Sequence, residues 1–328
     1  MTVFDNKYLD IRKILLILFL LELCSFSIAA LSYECPEPVD IFPCYCEDED
    51  DDPWIFCNHL TKPDEIYQGV KGLKEYKIYK MSFFMNWILD AIKSDAFDGL
   101  AVERILFENS TITLSAPQFK GMESHLTSIE LRACFNKSNP LGTWSLGHLS
   151  KLREVVLVKN RIVNLPDDWL TSIPDSLRSI TIEDNSIVTM GDQVFSKIPH
   201  LTFLVLEGNR ISFLKRSMLP KPASDLRSLN LNSNRLLYLP DDLFTEMPNL
   251  RTLELANNRL ITISEGTFSD IISQLLKLDF IGNPLKCDSN LKWMYSGTRR
   301  PALLEGHCTE PDKLKNKPLF DLKLEDFE

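Results

Sequence analysis

The chain has 328 residues, of which 44% are apolar, 25% charged and 10% aromatic, the proportions of a folded protein and not of a disordered or collagen-like one. Its formal charge is −10, from 46 acidic against 36 basic residues. That sign excludes a nucleic-acid partner, which needs a basic face against phosphates, and only 12 glycines argue against a Gly-rich phosphate cradle.

Residues 1–30 read as a secretory signal peptide. Arg12 and Lys13 precede the apolar run Ile14 to Leu21, and the small residues Ala29 and Ala30 follow. The run is too short for a span of ~20 residues and Glu22 interrupts it. No later run has the length of a membrane span. The expectation is a secreted, extracellular protein with no membrane span after cleavage.

Residues 31–72 read as a cysteine-rich N-terminal cap. It holds Cys35, Cys44, Cys46 and Cys57, whose spacing allows three disulfide connectivities. A zinc site is disfavoured by the oxidising compartment and the lack of a nearby histidine pair. The run Glu47-Asp48-Glu49-Asp50-Asp51-Asp52 carries six negative charges, so the remainder of the chain holds only −4. It lacks the glycine and alternation of a calcium loop and reads as a solvated acidic loop.

From 73 to 285 the chain repeats. The pattern LxxLxLxxNxL places asparagine at 160, 185, 209, 234, 258 and 283, at spacings of 25, 24, 25, 24 and 25. In weaker copies Cys134 and Ser110 take the asparagine slot, and Leu73, Tyr76 and Ile78 put Met81 there, for about nine coils in all. The LxL residues of a short strand share one face and point into a core. The asparagine then bonds the backbone of the neighbouring coil at the turn. Phe195, Phe244 and Phe268, each ten residues past an asparagine, close the core from the outer side. No coil buries its leucines alone, so coils stack. The expected architecture is an α/β solenoid: a horseshoe with a parallel concave sheet. Cys134 reads as a buried repeat residue.

The repeats resemble the extracellular leucine-rich repeat family, with about 24 residues per repeat. The front block resembles that family's cysteine-rich N-terminal flank, which implies disulfides Cys35–Cys46 and Cys44–Cys57. Residues 286–328 resemble its C-terminal flank. There Ser289 replaces the second of four usual cysteines and a fourth is missing, which implies a single bridge, Cys287–Cys308, and disulfide-stapled caps at both ends. The block from Cys35 to Cys57 is also similar to secreted arthropod proteins like the non-catalytic subunit of Oplophorus-luciferin 2-monooxygenase.

No catalytic constellation is legible. The five histidines, His59, His125, His148, His200 and His307, are scattered, and Gly142 to Gly147 misses the GxSxG elbow by one residue. No cofactor is expected. Asn109 and Asn136 head N-x-S/T sequons and are candidate glycosylation sites. Strand residues outside the core project from the sheet. Val156, Val158, Phe203 and Val205 are expected to form an exposed apolar patch, rimmed by Glu183, Asp184, Glu207 and Glu254. The function expected is binding of an extracellular protein, or a glycan, through the concave face, without catalysis. The alternative is a non-catalytic accessory subunit of a secreted oxidoreductase, partnered by a separate catalytic chain.

Overall fold

The computed structural model describes residues 34–49, 52–87, 91–136, 140–297 and 299–327. The signal-peptide segment 1–30 lies outside them, as do residues 137 and 138 of the second sequon.

One face of the solenoid is a twelve-stranded sheet. Its strands, in chain and spatial order, are β1 (Tyr45–Glu49), β2 (Asp52–Asn58), β3 (Lys77–Phe84), β4 (Ala101–Glu108), β5 (Ser128–Arg132), β6 (Glu154–Val158), β7 (Ser179–Glu183), β8 (Phe203–Val205), β9 (Ser228–Asn230), β10 (Thr252–Glu254), β11 (Lys277–Asp279) and β12 (Leu303–Glu305). β1 and β2 form an antiparallel hairpin. Every later neighbour is parallel, in the one-coil register that aligns Val155, Ile180, Leu204, Leu229, Leu253 and Leu278. These six side chains are fully buried. Strands pack ~4.8 Å apart, closer than the bulkier returning segments can, so the sheet side is the inner, concave one.

The asparagines form the ladder that the repeat demands. Asn234 lies in the turn after β9, accepts from the Ile211 amide at 3.0 Å and donates to the Leu206 carbonyl at 2.9 Å. Asn185, Asn209, Asn258 and Asn283 repeat this one coil apart. The first coil corrects the sequence reading by five residues. Met81 is a core strand residue opposite Ile105, and the slot belongs to Asn86. Asn86 accepts from the Leu60 amide at 2.6 Å and donates to the Cys57 carbonyl at 3.0 Å. It stands 24 residues before Ser110, in phase with the rest. Cys134 fills its slot buried and outside any disulfide. Its Sγ faces the carbonyls of Phe107 and Arg132 at 3.2 and 3.3 Å, and burial pushes its thiol pKa up to about 12.

The residue before each slot adopts the left-handed conformation: Met85, Asn109, Ala133, Lys159, Asp184, Gly208, Ser233, Asn257 and Gly282 all have φ between 48° and 73°. At Gly208 a Cβ would meet Asp184 Oδ1 at 2.3 Å, so a larger residue there needs that side chain to move. Methionine, alanine and lysine tolerate the region only because neighbouring coils hold the turn there. Lys159→Gly is therefore expected to raise stability by about 0.5–1 kcal/mol, read as a higher urea midpoint at unchanged slope.

Disulfides staple both ends. Cys35 is bonded to Cys46, Cys44 to Cys57, and Cys287 to Cys308. The nine-residue helix α1 (Pro63–Lys71) covers the front of the core through Ile66 and Val70, seated on the Cys44 sulfur at Gly69. Phe97, Phe119, Trp169, Phe195, Phe244 and Phe268 fill the outer half of the core. Two features were absent from the sequence reading. The described residues of the acidic run, 47–49 and 52, lie on the arms of the β1–β2 hairpin, with Glu47 opposite Trp54, and the C-terminal cap adds β12 to the parallel sheet.

Candidate binding face

Three columns of side chains project from the concave face, one residue per strand. The first holds Trp54, Lys80, Arg104, Ser128, Glu154, Ser179, Phe203, Ser228, Thr252, Lys277 and Leu303. The second holds Ser82, Leu106, Glu130, Val156, Thr181, Val205, Asn230, Glu254, Asp279 and Glu305. The third includes Phe84, Glu108, Arg132, Val158 and Glu183, with Glu207 next, since the Asp184 amide donates to its carbonyl at 3.0 Å.

Charge divides the face into thirds. Near the front, Arg104 pairs with Glu154 at 3.3 Å and Arg132 with Glu130. Lys80 lies 4.7 Å above the Trp54 ring, within an aromatic group of Tyr45, Trp54, Phe56 and Tyr79. Near the back, Lys277 bonds Glu254 and stands 4.0 Å from both Asp279 and Glu305. The bond to Glu254, followed by the other carboxylates, raises the lysine pKa.

The centre is different. Glu183 makes no ion pair with any other described residue. Burial, then the charges of Asp184 and Glu207, raise its pKa above the ordinary carboxylate range. Glu207 accepts from Asn230 Nδ2 at 2.9 Å. Phe203, 48% exposed, stands one strand from Ser179 on the same face, and half-buried Val156 and Val205 flank Thr181.

Three expected patch members change place. Val158 is only 7% exposed, because it sits in register between Arg132 and Glu183, whose longer side chains shield it. Glu254 lies two strands beyond Val205 and is held by Lys277. Asp184 is exposed, on the turn and off the sheet face. The remaining group is Val156, Glu183, Phe203, Val205 and Glu207, on three adjacent strands. The front aromatic group was missed; the alternation Trp54-Ile55-Phe56 is the signal that marks it.

A raised carboxylate pKa means that ionisation of Glu183 costs folding energy above the unfolded value, a cost absent below it. Glu183→Gln is expected to raise the melting temperature by about 1 °C at pH 7.5 and to leave it unchanged at pH 3.5. Paired thermal melts at the two pH values check this.

No catalytic set converges among the described residues. His200 Nδ1 lies 2.9 Å from Asp225 Oδ2, both exposed, on the returning side of a coil. Cys35, Cys46 and Asp48 are grouped closely enough for a metal, but the two sulfurs bond each other and have no thiolate to offer. Of the sequon asparagines, Asn109 is exposed beside β4 and Asn136 is half-buried in the loop after β5.

Residues 150–211 and 224–285 match the model of the leucine-rich repeat family. Among solved structures, a chain of the octameric complex of Latrophilin 3 (Lec, Olf), Unc5D (Ig, Ig2, TSP1) and FLRT2 (LRR) is similar in fold. Its TM-score is 0.58 at 18% identity, covering 82% of this chain and 89% of that one. No curated protein matches the chain, so the comparisons do not show the expected resemblance to the luciferase subunit.

Proposed function

We propose that this leucine-rich repeat solenoid is an extracellular binding protein that engages a protein partner through the centre of its concave face and performs no catalysis. The observation that carries the reading is the Glu183–Glu207 pair beside Phe203 and Val205, neither carboxylate held in an ion pair with another described residue and Glu183 raised in pKa by burial and by its acidic neighbours. An aromatic anchor next to partly desolvated carboxylates suits a partner presenting lysine or arginine among apolar groups. A cation brought there returns to Glu183 the charge stabilisation that burial removed. The disulfides at both ends support an oxidising compartment, and no described helix is long and apolar enough to cross a membrane. Glycans on Asn109 and Asn136 would lie toward the front, away from this centre.

The test is capture from secreted protein with the wild-type chain against the double variant Glu183→Lys, Glu207→Lys. A partner held by the wild type and released by the variant supports the assignment; one retained at full affinity removes it from this face. Coelenterazine-dependent light in the captured fraction would instead identify the chain as the accessory subunit of an oxidoreductase.

A further inference from the structure

The edge of the solenoid along the asparagine turns carries a second pattern, distinct from the concave face. The residue after the slot is arginine in four of five consecutive coils: Arg161, Arg210, Arg235 and Arg259, with Ser186 as the interruption. All four are exposed. None makes an ion pair with another described residue, in a chain whose net charge is −10. The one-coil register places neighbouring members a strand spacing apart, ~4.8 Å, so the row extends over ~20 Å. Two positions further on, Val163, Val188, Leu237 and Ile261 are each about half exposed and make a parallel apolar row. Acidic groups also lie at these turns: Asp184, whose carboxylate rests against Gly208, and Glu207, three residues before Arg210, though neither forms an ion pair with the arginines.

We infer that this edge binds a linear sulfated polysaccharide. A straight row of fixed positive charges matches a stiff chain whose anionic groups also repeat along a line. Guanidinium forks bind such oxyanions in bidentate fashion, and the adjacent apolar row lowers the local dielectric and strengthens each contact. The backbone there has little to offer a peptide. The amides of Arg210, Arg235 and Arg259 already donate to Ile187, Ile211 and Leu236, so an extended acidic polypeptide could not add a strand and would bind by side chains alone. Like charge opposite like charge also disfavours a second copy of this chain paired edge to edge.

Immobilised heparin is the probe, with the full chain in solution. Arg210→Ser, Arg235→Ser is expected to weaken binding about tenfold or more and to lower the slope of log K against log salt by about two. Lys120→Ser, Lys151→Ser removes the same charge from exposed sites off the row and is expected to change affinity less than threefold. Both pairs are on the surface, and unchanged melting curves verify the fold. Equal losses in the two variants, no binding of the wild type at 0.15 M salt, or tighter binding of polyglutamate than of heparin would each overturn the inference.

Discussion

Asn234→Ala is expected to destabilise the protein by about 3 kcal/mol. The side chain performs two tasks in a place closed to water. Its oxygen is the acceptor for the Ile211 amide, at 3.0 Å, and its nitrogen donates to Leu206, Leu231 and Asn232. The carbonyls keep other donors: Asn209 reaches Leu206, and Asn258 reaches Leu231. The Ile211 amide keeps nothing, and a buried orphan donor costs the full desolvation of the group. A small cavity adds to this. Serine is the informative intermediate, because Ser110 fills a slot naturally: its hydroxyl accepts from the Asn86 amide at 3.1 Å and reaches the Phe83 carbonyl at 3.3 Å. Chemical denaturation should therefore rank the wild type above Asn234→Ser, and Asn234→Ser above Asn234→Ala. Equal midpoints for all three would mean that leucine packing alone sets the coil geometry.

Removing the C-terminal bridge is expected to have an effect of similar size but different character. Cys287→Ala, Cys308→Ala opens a loop of sequence separation 21, worth about 3 kcal/mol through the unfolded chain. The loop contains β12, the last strand of the sheet, whose Leu304 is buried against the coil before it. A solenoid is held by nearest-neighbour contacts, so loss of an end exposes the next interface and unfolding can start there. The variant should melt about 6 °C lower, and hydrogen exchange should quicken first in Leu303–Glu305 and Lys277–Asp279. A melting point within about 1 °C of the wild type would show that Tyr295, which donates to the Leu319 carbonyl at 2.7 Å, and the packed Leu314, Leu319 and Leu322 hold the cap without the bridge.

The three strands β6, β7 and β8 are regular, and their register follows from buried Val155, Ile180 and Leu204. Which projecting residues are available to a partner is a matter of their neighbours. Glu254 and Glu183 are the same residue type on the same sheet, yet Lys277 bonds one directly, whereas the other has no ion pair among the described residues and feels Arg132 and Lys159 only at longer range.

The repeat itself was readable from residues alone: six asparagines in phase, each with large apolar residues, mostly leucine, at −8, −5 and −3, admit one strand-and-turn geometry, because only that geometry buries every one of them and satisfies every turn amide together. The parallel sheet, the stacked core and the phenylalanine plugs follow from it. Tertiary structure decided what local pattern cannot carry. Leu73, Tyr76 and Ile78 satisfy the spacing as well as Ile78, Met81 and Phe83 do, and only pairing of β3 with β4 selects the second set. Met85, Ala133 and Lys159 enter the left-handed region against their own preference because the coils on either side fix the turn. Val158 is withdrawn from solvent by the longer residues beside it. The common reason is distance: an in-phase repeat is a property of consecutive residues, whereas exposure, pairing and charge balance are set by residues 24 or 25 positions away that meet only once the coils are stacked.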